Sequence, residues 1–415
     1  MPQSVTSQWI NLAGLACLVG GLSLCIYLQV PPGATALMCV LAFALPIATL
    51  EIAVLKVHRR QTTGLDWTRH SAPADWPRIA TKLLGLGVAL GTTACVHWLV
   101  RIYPVDAMSY AGTLAAIVLT IALPFIVAYQ VIVDRVMVEP RDGYWHLGMA
   151  IRGRTEYVDV RKIRHLAAGW LVKGFFLPIM LVYLVATIGR LEAGAGMLGG
   201  GHIAATRWLT DFVAACELAI VCVGYTLTLR LTDSHIRSVN PLLWGWIVTL
   251  ACYEPFNRVV SGEMLAYSDG VYWFDWLKDQ PVLSLAWSIA LVLSFVLWLW
   301  ATAAFGLRWS NLTHRGIITN GPYRFTKHPD YIAKSLFFWL ISMPFLSSAG
   351  PVEALKNCLL LGLINAIYLL RARAEERHLS ADPDYAAYAL AMNERGIFKP
   401  LATVFPALRF QARPA

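Results

Sequence analysis

The chain has 415 residues, 57% of them hydrophobic and 14% charged, where soluble domains carry roughly 25% charged residues. That balance excludes a water-soluble globule, and apolar runs of about twenty residues, each long enough to cross roughly 30 Å of hydrocarbon, recur from end to end. The net charge of +9 is scattered through short loops, which argues against a nucleic-acid partner and for Lys and Arg marking the inner side of a multi-pass membrane protein, with anionic lipid headgroups as a secondary attraction.

Hydropathy predicts spans near residues 9–30, 33–55, 80–101, 110–133, 168–188, 210–230, 241–260, 281–305, 331–347 and 351–370, about ten helices in an all-α integral membrane fold. The start, MPQSVTSQWI, lacks the basic region of a cleavable signal, so the first apolar run is expected to stay as a span. Pro31-Pro32-Gly33 punctuates the first hairpin and Ser347-Ser348-Ala349-Gly350-Pro351 the last. With both termini cytoplasmic, Arg59, Arg60, Arg69 and Arg78, then Arg135, Arg141, Arg152, Arg154, Arg161, Lys162 and Arg164, fall inside. Asp106, Glu192, Glu263, Asp269, Asp275 and Asp279 fall outside, so span parity and charge bias agree. Trp273, Phe274, Trp276 and Trp309 read as interfacial aromatics.

Several patterns carry no chemistry. The eight cysteines lie in or beside apolar runs with no C-x-x-C pair, so neither a disulfide framework nor a metal centre is indicated. Gly194-Ala195-Gly196-Met197-Leu198-Gly199 satisfies G-x-G-x-x-G but lacks the preceding strand that a dinucleotide site needs. Asn311-Leu312-Thr313 matches a glycosylation sequon on the wrong side of the membrane. His97 with Arg101 reads as an interfacial pair. Glu217, in the middle of a span, is expected to face the bundle interior or a hydrated cavity, either lining a polar pocket or hydrogen-bonded as a structural group. Glu254, Asn257 and Arg258 remain open in the same way.

The last quarter is different, because polar residues crowd the inner mouth of two closely linked spans. Asn320-Gly321-Pro322-Tyr323 is a turn, with Gly supplying backbone freedom and Pro fixing the exit. In Lys327-His328-Pro329-Asp330-Tyr331, Pro329 suits the first position of a helix, whose free amides and positive end would face a carboxylate or phosphate. After the last span come Arg371-Ala372-Arg373-Ala374-Glu375-Glu376 and then Asp382-Pro383-Asp384-Tyr385. A tight hairpin would bring the His328 and Tyr331 end of one helix to the Glu375 and Glu376 end of the next, where paired carboxylates would hold an ammonium or ribose hydroxyls. A solvated, self-paired run of charges is the alternative.

These two blocks resemble the isoprenylcysteine carboxyl methyltransferase family, whose relatives include membrane phospholipid N-methyltransferases. The resemblance rests on Gly321-Pro322-Tyr323, on Lys327-His328-Pro329-x-Tyr331, and on Glu375-Glu376 followed by Leu379, Tyr385, Tyr388 and Pro400, over roughly residues 285–402. It implies that Gly321, Pro322, Tyr323, His328, Pro329, Tyr331, Glu375 and Glu376 bind S-adenosylmethionine. Lys327 stands where relatives usually carry Arg, and Asp330 where the residue is more often uncharged; Lys keeps the charge but not the planar fork.

The expectation is therefore an S-adenosylmethionine-dependent membrane methyltransferase acting on a lipophilic or lipid-linked acceptor, with carboxylate O-methylation favoured. Arg371 and Arg373 are the candidate catalytic residues, holding an acidic acceptor group. The organisation reads as residues 1–280, an N-terminal helical region of unassigned role, and residues 281–415, the methyltransferase-like part. The expected location is a bacterial inner membrane, with the site facing the cytoplasm. Two alternatives stand beside it. One is an NADPH-dependent enzyme like the membrane sterol reductases, whose Arg-Asp and Cys-bearing C-terminal stretch is not found after Arg371. The other is a transporter or lipid-binding scaffold with a degenerate C-terminal end.

Overall fold

The computed structural model describes residues 1–100 and 122–411. Its helices are α1 (Gln8–Tyr27), α2 (Pro32–Ala53), α3 (Trp76–Val100), α4 (122–136), α5 (Gly143–Ile151), α6 (Val160–Ala193) and α7 (His202–Thr226). They continue as α8 (Leu243–Leu250), α9 (Trp273–Trp276), α10 (Pro281–Ala303), α11 (Pro329–Ser342), α12 (Pro351–Leu379), α13 (Pro383–Arg395) and α14 (Lys399–Val404). A two-residue antiparallel pair, β1 (Ser238–Val239) with β2 (Thr313–His314), joins two loops.

Local chemistry sets most of the helix starts. Pro occupies the first turn of α2, α10, α11, α12 and α13, where its missing N–H costs nothing. Asp142, Asp159 and Asp382 cap α5, α6 and α13 by accepting from backbone amides of the first turn. Apolar side chains of α1, α2, α6, α7 and α10, among them Leu18, Phe43, Phe176, Ile220 and Phe295, meet in one buried core.

Seven of the described helices are long and apolar enough to cross a membrane: α1, α2, α3, α6, α7, α10 and α12. Two expected spans differ. The stretch 241–260 is not one helix: α8 ends at Leu250, and a separate π-helical turn covers Arg258–Met264, beyond Pro255, which has no N–H to give a continuing helix. The stretch 331–347 yields α11, whose 14 residues fall short of the roughly 20 a crossing needs. The span expected at 80–101 is α3, apart from Arg101, which lies outside the described residues together with Asp106 and the first part of the span expected at 110–133. His97 lies 2.6 Å from the Gly174 carbonyl oxygen. Trp273 is a second correction, since it is 3% exposed and packs in the core instead of lying at the surface.

One end of the bundle carries a buried polar network. Glu51, near the end of α2, forms a forked pair with Arg308, beyond the end of α10, at 2.6 and 3.1 Å, with both side chains fully buried. Arg308 also donates to the carbonyls of Asp233 and Thr232. The N-terminal segment lies across the same end. Val5 N–H donates to the Ile317 carbonyl, Thr319 Oγ1 to the Pro2 carbonyl at 3.1 Å, and Asn320 Nδ2 to the Thr6 carbonyl at 2.7 Å. The N-terminal helices are thereby tied to the loop that leads into α11.

Candidate cofactor site

The site forms where α11 starts and α12 ends. Gly321 adopts φ +55°, a conformation that favours glycine, and opens the single helical turn Gly321–Arg324. Pro322 and Tyr323 are buried in that turn, and the Tyr323 ring meets Phe305 edge-on with centroids 5.3 Å apart. Helix α13 clamps it from outside, as Tyr388 Oη donates to the Tyr323 carbonyl at 2.8 Å. The chain then reverses through Lys327 and His328 into Pro329, the buried first residue of α11.

At this corner the two sequence blocks meet. His328 Nε2 lies 3.1 Å from Glu376 Oε1, and His328 Nδ1 lies 3.9 Å from Glu375 Oε2. Tyr331 Oη donates to Glu375 Oε1. Lys327 Nζ pairs with Glu376 Oε1 at 2.6 Å, and Arg373 Nη1 approaches Glu376 Oε2 at 3.4 Å. Glu376 is thus enclosed by three basic side chains and only 6% exposed, whereas the Glu375 side chain is 36% exposed. Glu376 and Arg371 are therefore not solvated charges, while Glu375 is partly exposed and the Arg373–Glu376 contact is a pairing within the run.

Arg371 and Arg373, two residues apart on α12, point to different places. Arg373 is the Glu376 partner. Arg371 is buried, donates to Asn311 Oδ1 at 3.0 Å and lies over the ring of Tyr331 at 5.1 Å. Asn311 in turn donates to the hydroxyls of Tyr225 and Tyr253, at 2.9 and 3.0 Å. Read in sequence only as a sequon, Asn311 is a buried bridge between α7 and α12.

One further group, quoted in the sequence only as part of the resemblance and given no role there, belongs to the site. The Tyr385 hydroxyl of α13 is buried with no hydrogen-bond partner among the described residues, and the charges of Glu376 and Glu375 act on it. Burial, with Glu376 beside it, holds this phenol well above its usual range, so it is protonated and a donor at neutral pH. A buried hydroxyl left without a partner is unusual and marks a place where a polar ligand atom would complete the set. Among the described residues no group of His, Cys, Asp and Glu side chains is arranged to hold a metal ion.

One comparison with known families bears on this geometry. Residues 282–381 match the Isoprenylcysteine carboxyl methyltransferase (ICMT) family. The match takes in α10, the Gly321–Arg324 turn, α11 and α12, a quarter of the chain, and ends just before α13. No curated protein and no solved structure gives a match. The ICMT-like segment therefore carries both converging blocks, while Tyr385 and Tyr388 come from beyond it. The G-x-G-x-x-G stretch is a short helical turn, Ala195–Gly199, following α6, with no strand before it.

Proposed function

We propose that the protein is an S-adenosylmethionine-dependent integral membrane methyltransferase whose acceptor is lipophilic or lipid-linked and is methylated on a carboxylate. The observation that carries the reading is the convergence of His328 and Tyr331 with Glu375 and Glu376 inside the segment similar to ICMT. The residues present suit such a cofactor. The free amides at the start of α11 would receive its carboxylate, the Glu375 and Glu376 pair its ammonium or ribose hydroxyls, and the orphaned Tyr385 hydroxyl one acceptor atom.

When bound, S-adenosylmethionine supplies a methyl group on a sulfonium, transferred by in-line displacement. The chain's own work is then alignment and exclusion of water, and no enzyme nucleophile is needed. Gly321, Pro322 and Tyr323 would roof the site, while Arg371, buried over the Tyr331 ring, would hold an acceptor carboxylate. Arg373 keeps Glu376 in position. The positive-inside bias of the basic loops supports a cytoplasmic mouth.

Titration calorimetry on detergent-solubilised protein tests the reading. Saturable S-adenosylmethionine binding, weakened in Glu375→Ala and His328→Ala, is expected. No affinity in the unaltered protein would overturn it, and NADPH binding in its place would turn the assignment toward a reductase.

A further inference from the structure

Buried cations in this protein fall into two kinds. Arg308 meets both oxygens of Glu51 and two carbonyls. Arg315 donates to five carbonyls, those of Ser234, Gly224, Trp309, Leu227 and Leu307. Lys82 sits 2.8 Å from Asp134 and 3.5 Å from Asp142. These three are saturated, as structural charges in a low-dielectric interior must be.

Lys334 and Arg371 are not. Lys334, 9% exposed, lies about 9 Å along the axis of α11 from His328. Its closest polar partner among the described residues is Asp330 Oδ2 at 3.5 Å, so two of its three donors stay open. Glu217 of α7 acts on it from further away and makes no ion pair with it. Arg371, 3% exposed, spends one donor on Asn311 and leaves Nε buried and unpaired, with no carboxylate at ion-pair distance among the described residues. Both cations lie over the rings of Tyr331 and Tyr368, at 6.0 and 5.8 Å for Lys334 and 5.1 and 6.0 Å for Arg371, and the Lys334 ammonium also caps Trp298 at 4.5 Å. Ring faces hold a cation without using its N–H donors fully, which keeps it available to an incoming anion.

We propose that Lys334 is a specificity-determining residue that, with Arg371, forms a two-cation seat for the anionic oxygens, carboxylate or phosphate ester, of an amphiphile entering from the bilayer. The inference rests on the methyltransferase reading and names the acceptor's chemistry. A neutral amphiphile would leave both cations as unsatisfied as they stand, whereas an anion completes them.

The test uses the full chain in phosphatidylcholine nanodiscs and compares equilibrium binding of oleate, dioleoylphosphatidate and oleyl alcohol. At least one anion is expected to bind about tenfold more tightly than the alcohol, the effect of one charge-assisted hydrogen bond, and the anion that wins names the source. Lys334→Met should abolish the preference and Lys334→Arg retain it, with S-adenosylmethionine affinity unchanged in both. Because Lys334→Met strands Asp330, the double variant Asp330→Asn/Lys334→Met is measured alongside and should likewise lack the preference. A preference that survives in both Met variants, or none in the unaltered protein, overturns the seat. Failure of the unaltered protein to bind S-adenosylmethionine overturns instead the reading on which it rests.

Discussion

His328 and Glu376, 48 residues apart in the chain, are joined by a 3.1 Å contact between imidazole Nε2 and carboxylate Oε1. Lys327 shares the same oxygen, so the carboxylate is fixed from two sides. Because charged hydrogen bonds of this kind are worth about 1.5–3 kcal/mol, His328→Ala and Glu376→Ala are each expected to weaken S-adenosylmethionine binding about tenfold or more. Members of one network do not add. The double variant should therefore lose less than the sum of the single losses, which calorimetry on the three proteins would show.

Arg308→Met leaves Glu51 as an unpaired buried carboxylate, at an expected cost of about 3–5 kcal/mol. Thermal unfolding in detergent should show a lowered midpoint. Glu51→Met combined with Arg308→Met removes both charges and should recover part of the loss. If the single variant melts with the unaltered protein, the pair does not hold the N-terminal helices to the loop before α11.

His235 lies in the loop after α7. Burial, with Arg230, Arg237, Arg315 and Arg308 around it, pulls its imidazole down to about 3 from an ordinary 6.5. The folded state therefore binds fewer protons than the unfolded state between those values, so stability falls as pH drops below about 6.5, by at most about 1.4 kcal/mol per pH unit. His235→Gln lacks this titration. The gap in melting temperature between pH 7 and pH 5.5 should be smaller in the variant than in the unaltered protein.

Gly224 on α7 admits the backbone of Trp309. A Cβ there would stand 2.0 Å from the Trp309 carbonyl oxygen, which backbone on both sides prevents from moving away. Gly224→Ala is expected to cost roughly 1–3 kcal/mol as overpacking. The same carbonyl is a partner of Arg315, so the loss should appear as a lowered melting point and as faster proteolysis of the 306–320 loop.

The sequence made His328, Tyr331, Glu375 and Glu376 legible because each pair sits within a few residues at a helix end, and a short linking hairpin leaves little choice about which ends meet. Lys334 and Arg371 were not legible as a pair. Their relationship runs through the faces of Tyr331 and Tyr368 and through Asn311, which depend on how separate helices rotate against one another. Hydropathy found α1, α2, α3, α6, α7, α10 and α12 because each carries a long apolar run. It misread 241–260 because summed apolarity does not register a break at Pro255. It set Trp273 at the surface because interfacial and buried Trp share a composition and differ only in what packs on them.

The docking of Pro2, Ser4 and Thr6 on Thr319 and Asn320 has a consequence for biosynthesis. These partners are more than 310 residues apart, so the segment from Pro2 to Thr6 has nowhere to dock until the loop holding Thr319 and Asn320 has been made. Glu51 waits in the same way for Arg308. A nascent chain that stalls before Arg308 therefore holds Glu51 without its cation and the segment from Pro2 to Thr6 without its dock.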